Sequence, residues 1–360
     1  MNLEKIPATV VTGFLGSGKT TLLSNVIRQA NGKRIAVIVN EFGELDIDAD
    51  ILRNCPLDCE DGEEASAPAV AEDGVYELAN GCICCTVEEE FLPVMQQLVE
   101  RRDDIDHILI ETSGLALPKP LVQAFNWPDI RQHCTVDSVI TVVDGPAVAE
   151  GRFAHDPEQV EKMRAEDESL DHDPSLLELL EDQLTSADLV IISKRDMVED
   201  SEMDTVKSRV GNHIGDGVKV LEVSNGEIAS ELIMGLNFAS EERIEAVHTH
   251  HDHHHDHDEE HHHAHEEFDS LSIPLAEVDS DKLLATVNEL IRDHTIFRVK
   301  GFLAVPGKPM RQVIQGVGER ITRYFDRPWG NDEVRQSRVV LIGKDLDGNQ
   351  LREKLTTAQV

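Results

Sequence analysis

Basic charge is scarce in this chain of 360 residues: 33 Lys and Arg stand against 70 Asp and Glu, a formal net charge of −37. A nucleic-acid partner requires clustered Lys and Arg to neutralise its phosphates, so that class of partner is excluded. Long apolar runs are missing too, and no stretch approaches the roughly 20 residues that a membrane-spanning helix needs. Met1 to Pro7 carries no charged start followed by an apolar run, so the expectation is a cytoplasmic protein with no membrane association. Cysteine is sparse, six in all, and three of the six fall within four positions. That distribution does not suit a disulfide framework, and a reducing cytoplasm would leave the thiols available to metal.

The length exceeds the usual size of one hydrophobic core, and an apolar content of 40% is enough to fill two. Up to about residue 225, short β-branched runs alternate with amphipathic stretches, which predicts an α/β domain with a mostly parallel sheet covered by helices. Its strands are expected at Ala8 to Val11, Ile35 to Val39, Val75 to Leu78, His107 to Ile110, Ser138 to Val143, Leu189 to Ile192 and Val218 to Val223. Thr20 to Ala30, Glu88 to Arg102, Ser175 to Ala187 and Glu202 to Val210 read as helices. Arg53 to Gly74, acidic and rich in Ala and Pro, and Gly151 to Pro174 read as insertions with nothing periodic to bury. A tract from His248 to Glu267 holds eleven histidines interleaved with Asp and Glu. The pattern yields a first domain over 1–240, a histidine-rich linker over 241–268 and a small α+β domain over 269–360. In that last domain the expected elements are Leu271 to Pro274, a helix from Asp279 to Arg292, strands at Ile296 to Val305, Met310 to Ile314 and Ser337 to Gly343, and a closing helix from Asp345 to Thr356.

Gly13-Phe14-Leu15-Gly16-Ser17-Gly18-Lys19-Thr20 satisfies G-x-x-x-x-G-K-[ST] between an apolar strand and a helix, the context of a true phosphate loop. The glycines let backbone N–H groups converge on phosphate oxygens, and the helix N-terminus adds favourable partial charge. Lys19 should reach the β and γ phosphates, Thr20 should ligate Mg²⁺, and Thr21 should contact a more inward phosphate. Ile108 to Gly114 ends a buried strand in Glu111, a carboxylate for Mg²⁺, with Gly114 three residues on to sense the γ-phosphate. Ser193-Lys194-Arg195-Asp196 resembles the guanine-reading N/T-K-x-D element with Ser in the first place, so GTP is favoured over ATP and Asp196 should meet guanine N1 and N2. Val223 to Gly226 is placed to pack against the base. No residue announces itself as an arginine finger or a water-positioning Gln, so hydrolysis should be slow.

Cys82-Ile83-Cys84-Cys85 is the most concentrated chemistry in the chain. Extended backbone would send Cys82 and Cys84 to one side and Cys85 to the other, so binding by all three thiols needs a turn, which Gly81 eases. Thiolates select soft or borderline ions, and a tetrahedral site suits both Zn²⁺ and Co²⁺. Small buried hydrophobes and a redox pair are the competing readings. The cluster lies between Asn40 to Glu44, where a switch segment would sit, and Glu111 to Gly114, so metal and nucleotide should share mobile elements. Glu41 is open to three roles: a switch carboxylate on Mg²⁺, a further metal ligand, or a solvated charge. Cys55 and Cys59 have a metal-compatible spacing on a segment with little preorganisation. The eleven histidines promise capacity rather than selectivity, as a metal reservoir or a solvated linker.

Together the phosphate loop, Asn-Glu-Phe-Gly-Glu, Gly-Cys-Ile-Cys-Cys, Glu-Thr-Ser-Gly-Leu, Ser-Lys-Arg-Asp, the histidine tract and the C-terminal Val299 to Phe302 and Asp326 to Gly330 resemble the CobW family of P-loop GTPases over nearly the whole chain. The resemblance implies a GTP-dependent metallochaperone in which Gly13, Gly16, Ser17, Gly18, Lys19, Thr20, Thr21 and Gly114 bind the triphosphate, Ser193, Lys194 and Asp196 the guanine, and Cys82, Cys84 and Cys85 the transferred ion. It further implies Co²⁺ as cargo and the cobaltochelatase of cobalamin biosynthesis as recipient, with zinc delivery known among relatives. A metal buffer or sensor, and a regulatory GTPase with a structural zinc, are the alternatives from other classes.

Overall fold

The computed structural model describes residues 5–29, 32–40, 75–78, 91–152, 154, 176–244, 247, 269–318, 320–330, 333–344 and 346–360, with the backbone alone at 40 and 75–78. Glu41 and Glu44, Cys55 and Cys59, the insertion at 53–74, the thiols Cys82, Cys84 and Cys85, and the histidine tract lie outside the described residues. The chain forms two compact units, residues 1–263 and 264–360.

The first unit is built on β1 (Ile6–Thr12), β2 (Ile35–Asn40), β3 (Val75–Leu78), β4 (His107–Glu111), β5 (Cys134–Asp144), β6 (Leu189–Ser193) and β7 (Lys219–Glu222). They form one sheet in the order β3-β2-β4-β1-β5-β6-β7, and every pairing in it is parallel. β4 and β6 are buried throughout, as expected of strands covered on both faces, and this is why Ile108 to Ile110 and Leu189 to Ile192 read as unbroken apolar runs. The helices are α1 (Lys19–Arg28), α2 (Leu92–Glu100), α3 (Pro118–Ala124), α4 (Pro128–Arg131), α5 (Gly145–Ala149), α6 (Leu176–Thr185), α7 (Asp200–Gly211) and α8 (Ser240–Arg243). Val94, Met95 and Leu98 of α2 and Leu121, Val122 and Ala124 of α3 join Ala8, Val10, Ile38, Ile108 and Ile110 in one core cluster. Leu179, Leu180 and Leu184 of α6 and Met203, Val206 and Val210 of α7 join Val190 and Ile192 in another. The short helices α3, α4, α5 and α8 were not expected from periodicity, since four to seven residues hold less than two turns of pattern. Proline at the first helical turn marks three of them instead.

In the second unit, β8 (Asp269–Leu275), β9 (Ile296–Leu303), β10 (Met310–Val317), β11 (Arg320–Pro328) and β12 (Ser337–Gly343) form an antiparallel sheet in the order β11-β10-β9-β12-β8. Helix α9 (Ser280–Asp293) starts at Asp279, whose carboxylate accepts from Asp281 N and Lys282 N. It buries Leu283, Val287, Leu290 and Ile291, a single helical face. Helix α10 (Gly348–Thr356) is capped the same way by Asp347 and buries Leu351 and Leu355. The expectation of four strands here is corrected to five. β11 lies at the sheet edge and is largely exposed, so it pairs through its backbone without the apolar alternation that would reveal it.

Candidate nucleotide and metal site

β1 ends at Thr12 and α1 begins at Lys19, so the phosphate loop spans the gap between a central strand and a helix N-terminus. Gly13 has φ +136, and a Cβ there would come within 2.1 Å of Val142 O on β5. Across the loop, a Cβ on Gly114 would meet Leu15 N at 2.6 Å, so the backbone after β4 lies directly on the phosphate loop. Lys19 is buried and folds over the loop, its Nζ donating to Gly13 O at 2.8 Å and Phe14 O at 3.1 Å. Burial depresses its ammonium below the ordinary lysine range, with the Glu111 charge opposing. Thr20 Oγ1 donates to Glu111 Oε1 at 2.8 Å, joining the two residues expected to share Mg²⁺. Ser17 Oγ is buried with no hydrogen-bond partner among the described residues. A loop whose Gly13 admits no side chain, a buried ammonium and an orphaned hydroxyl fit an oxyanion, and a hydroxyl beside a carboxylate fits the hard oxygen-seeking Mg²⁺.

The base side is drawn from more distant segments. Ser193 Oγ lies 2.6 Å from Ser17 O and 3.1 Å from Val143 O, so the shorter Ser still ties this element to the phosphate loop. Lys194 adopts φ 54 and its Nζ donates to Asp144 Oδ2 at 2.6 Å. The same Asp144 caps α5 through Ala147 N. Asp196 is exposed, in a tight turn over Arg195–Met197. After β7, Asn225 has φ 53 and its carbonyl accepts from Asn25 Nδ2 of α1 at 2.9 Å, which brings the Val223 to Gly226 segment against the helix that carries the phosphate loop. Asp144 and Arg195 were not singled out in the sequence, because their roles depend on partners 50 and 27 residues away.

For the thiols, only the flanking strand is described: β3 leads out toward Cys82 and pairs with β2, Asn40 facing Leu78. Among the described residues no group of three or more His, Cys, Asp and Glu is arranged to hold a metal ion. Cys134, the remaining cysteine, is buried at the start of β5, and burial pushes its thiol up to about 12, with Lys5 opposing and Glu241 assisting. It stays protonated and apolar in the core. Among the described residues no helix is long and apolar enough to cross a membrane.

Comparison with known proteins agrees with this layout. Residues 7–222 match the family model described as CobW/HypB/UreG, nucleotide-binding domain, and residues 270–359 match the one described as cobalamin synthesis protein cobW C-terminal domain. A Pseudomonas aeruginosa protein named zinc chaperone CobW is 54% identical over 99% of this chain and 92% of its own length. A Sinorhizobium protein of the same name is 47% identical over 99% and 98%, and the zinc chaperone YjiA of Escherichia coli 29% identical over 97% and 98%. With a nucleotide-binding domain and a C-terminal domain both matched and near-complete relatives on either side of half identity, the chain belongs to the CobW family of P-loop GTPases.

Proposed function

We propose that this protein is a cytoplasmic, GTP-dependent metallochaperone that takes a transition-metal ion at Cys82, Cys84 and Cys85 in the Mg²⁺-GTP state and gives it up after hydrolysis. The observation that carries the reading is the strand order. In β3-β2-β4-β1, all parallel, the chain leaves β3 toward Cys82, β2 toward Glu41, β4 through Glu111 to Gly114, and β1 into the phosphate loop. Adjacent strands stand about 4.8 Å apart, so the four exits lie at the C-terminal end of the sheet within roughly 15 Å. A γ-phosphate contact that orders Glu111 to Gly114 would act beside the end of β2 and near the end of β3, the strands after which the sequence runs on to Glu41 and to the thiols.

Lys19 would exchange its bonds to Gly13 O and Phe14 O for the β and γ phosphates, whose negative charge offsets the effect of burial on its ammonium. Thr20 and Glu111 would hold Mg²⁺, which supplies charge neutralisation on the phosphates. Ser193, Lys194 and Asp196 would select guanine, and Gly114, packed on Leu15, would report the γ-phosphate to the loop behind it. Linkage makes the coupling reciprocal: if GTP tightens metal binding, metal tightens GTP binding by the same factor.

Co²⁺ supplied to a cobaltochelatase is the finer reading implied by the family resemblance. Zn²⁺ is the second reading, favoured by the names of the Pseudomonas and Sinorhizobium relatives, and three thiolates accept either ion. The test is a titration of Co²⁺ and Zn²⁺ against a competing chelator with Mg²⁺ plus GTP, a non-hydrolysable analogue, or GDP. Tighter binding with GTP and the analogue than with GDP is expected, the larger difference naming the cargo. Equal affinity in all three states would defeat the switch, and full affinity in a Cys82→Ala, Cys85→Ala variant would move the site elsewhere.

A further inference from the structure

Arg195 stands between Lys194 and Asp196 and is 3% exposed, although its neighbour Met197 is 65% exposed. Burying a guanidinium is costly unless its donors are met. Here three elements meet them. Nε donates to Glu222 Oε2 at the end of β7 at 2.7 Å, Nη1 donates to Val198 O at 2.6 Å, and Nη2 pairs with Asp200 in the first turn of α7. The backbone adds a fourth link, Arg195 N to Val223 O at 3.2 Å. Glu222 is buried as well and takes Lys207 Nζ at 2.5 Å on its other oxygen. Burial works against its ionisation, but Lys207 and Arg195 prevail and hold its carboxyl below the ordinary range.

A buried ion pair rarely adds net stability over apolar residues of the same volume, so stability alone does not account for this one. A guanidinium does supply a rigid fork whose donors point in fixed directions in one plane. That fork joins the turn that holds Asp196 to the segment running from Glu222 through Asn225, and Asn25 Nδ2 ties the same segment to α1. On the other flank Lys194 is pinned to Asp144. Asp196, exposed, therefore follows two anchored residues and precedes Val198, whose carbonyl Arg195 also holds.

We propose that Arg195 is a positioning residue for guanine selection: clamped on Glu222, Val198 and Asp200, it holds the Lys194 to Asp196 turn in register with Val223 to Gly226, so that the Asp196 carboxylate meets the base. The proposal rests on the reading of Asp196 as the guanine acceptor. It separates base selection from phosphate affinity, since the contact to the phosphate loop is made by Ser193 and not by Arg195.

The experiment is calorimetric titration of the full chain with GDP, IDP and ADP in Mg²⁺, for the wild type, Arg195→Met and Arg195→Lys. IDP lacks the exocyclic amino group, so the GDP to IDP ratio reads the Asp196 contact, whereas ADP reads the phosphate loop. In Arg195→Met, GDP affinity should fall roughly 10–100-fold toward that of IDP and ADP, the worth of one hydrogen bond to a charged group. ADP affinity should stay unchanged, and Arg195→Lys, which cannot reproduce the fork, should fall between. If the methionine variant does not fold, the lysine variant carries the same comparison. An unchanged GDP to IDP ratio overturns the proposal, and so does an equal loss of GDP and ADP affinity. A wild type that binds GDP and ADP alike defeats the guanine reading itself, an outcome distinct from variants that discriminate as well as the wild type.

Discussion

His107 opens β4 with a buried ring whose Nε2 lies 2.9 Å from Thr9 Oγ1 on β1. Thr9 Oγ1 lies 3.4 Å from Asp137 Oδ2, and Asp137 accepts from Gly235 N at 2.6 Å and Asn237 N at 2.5 Å. Burial pushes the imidazole down from 6.5 to about 4, with Asp137 opposing and Lys33 assisting. Between those two values the unfolded chain binds a proton that the folded chain refuses, so stability falls as the pH is lowered. The contribution is complete above the unfolded value and is lost on the way down to the folded one. The full difference amounts to about 3 kcal/mol, of which about 2 kcal/mol falls between pH 7 and pH 5. The assay is urea unfolding followed by fluorescence in a Trp329→Phe background, where Trp127, packed against the first unit's core, reports that unit alone. His107→Gln removes the titration and keeps an amide for Thr9. The stability advantage of the histidine protein over this glutamine variant should shrink by about 2 kcal/mol from pH 7 to pH 5, the carboxylates shared by both proteins cancelling. A difference independent of pH would refute the assignment of a neutral, buried imidazole.

Gly13→Ala should weaken GDP binding by about 100-fold in a calorimetric titration, since the new Cβ meets Val142 O at 2.1 Å and φ +136 is strained for any other residue. Thr20→Val removes the hydroxyl 2.8 Å from Glu111 Oε1, so the gain in nucleotide affinity on adding Mg²⁺ over EDTA should drop about tenfold. Ser193→Ala breaks the 2.6 Å link to Ser17 O and should speed release of a fluorescent GDP analogue about tenfold in stopped flow. Glu241→Ala leaves Val136 N without its 2.8 Å acceptor and should cost the first unit about 2 kcal/mol in the same urea assay.

The elements with strong local pattern were legible in the sequence. The buried strands β4 and β6 announce themselves by the apolar runs Ile108 to Ile110 and Leu189 to Ile192, and the phosphate loop by glycines at fixed spacing ahead of Lys19. What escaped has its cause outside its own segment. β11 is a strand because β10 offers it backbone partners, not because Arg320–Pro328 alternates. The anchoring of Arg195 depends on Glu222, and the bond from Ser193 to Ser17 spans 176 residues, distances over which no spacing rule operates.

From the sequence alone came the chemistry: a loop for phosphate, a carboxylate after a buried strand, a guanine-type element and three thiols in four positions, each a local pattern of residue types. Only the tertiary structure decided which strands are neighbours. Parallel pairing in the order β3-β2-β4-β1 sets the C-terminal ends of these four strands side by side, with the phosphate loop after β1 and Gly114 after β4, an order that rests on long-range pairing and not on the order of the chain.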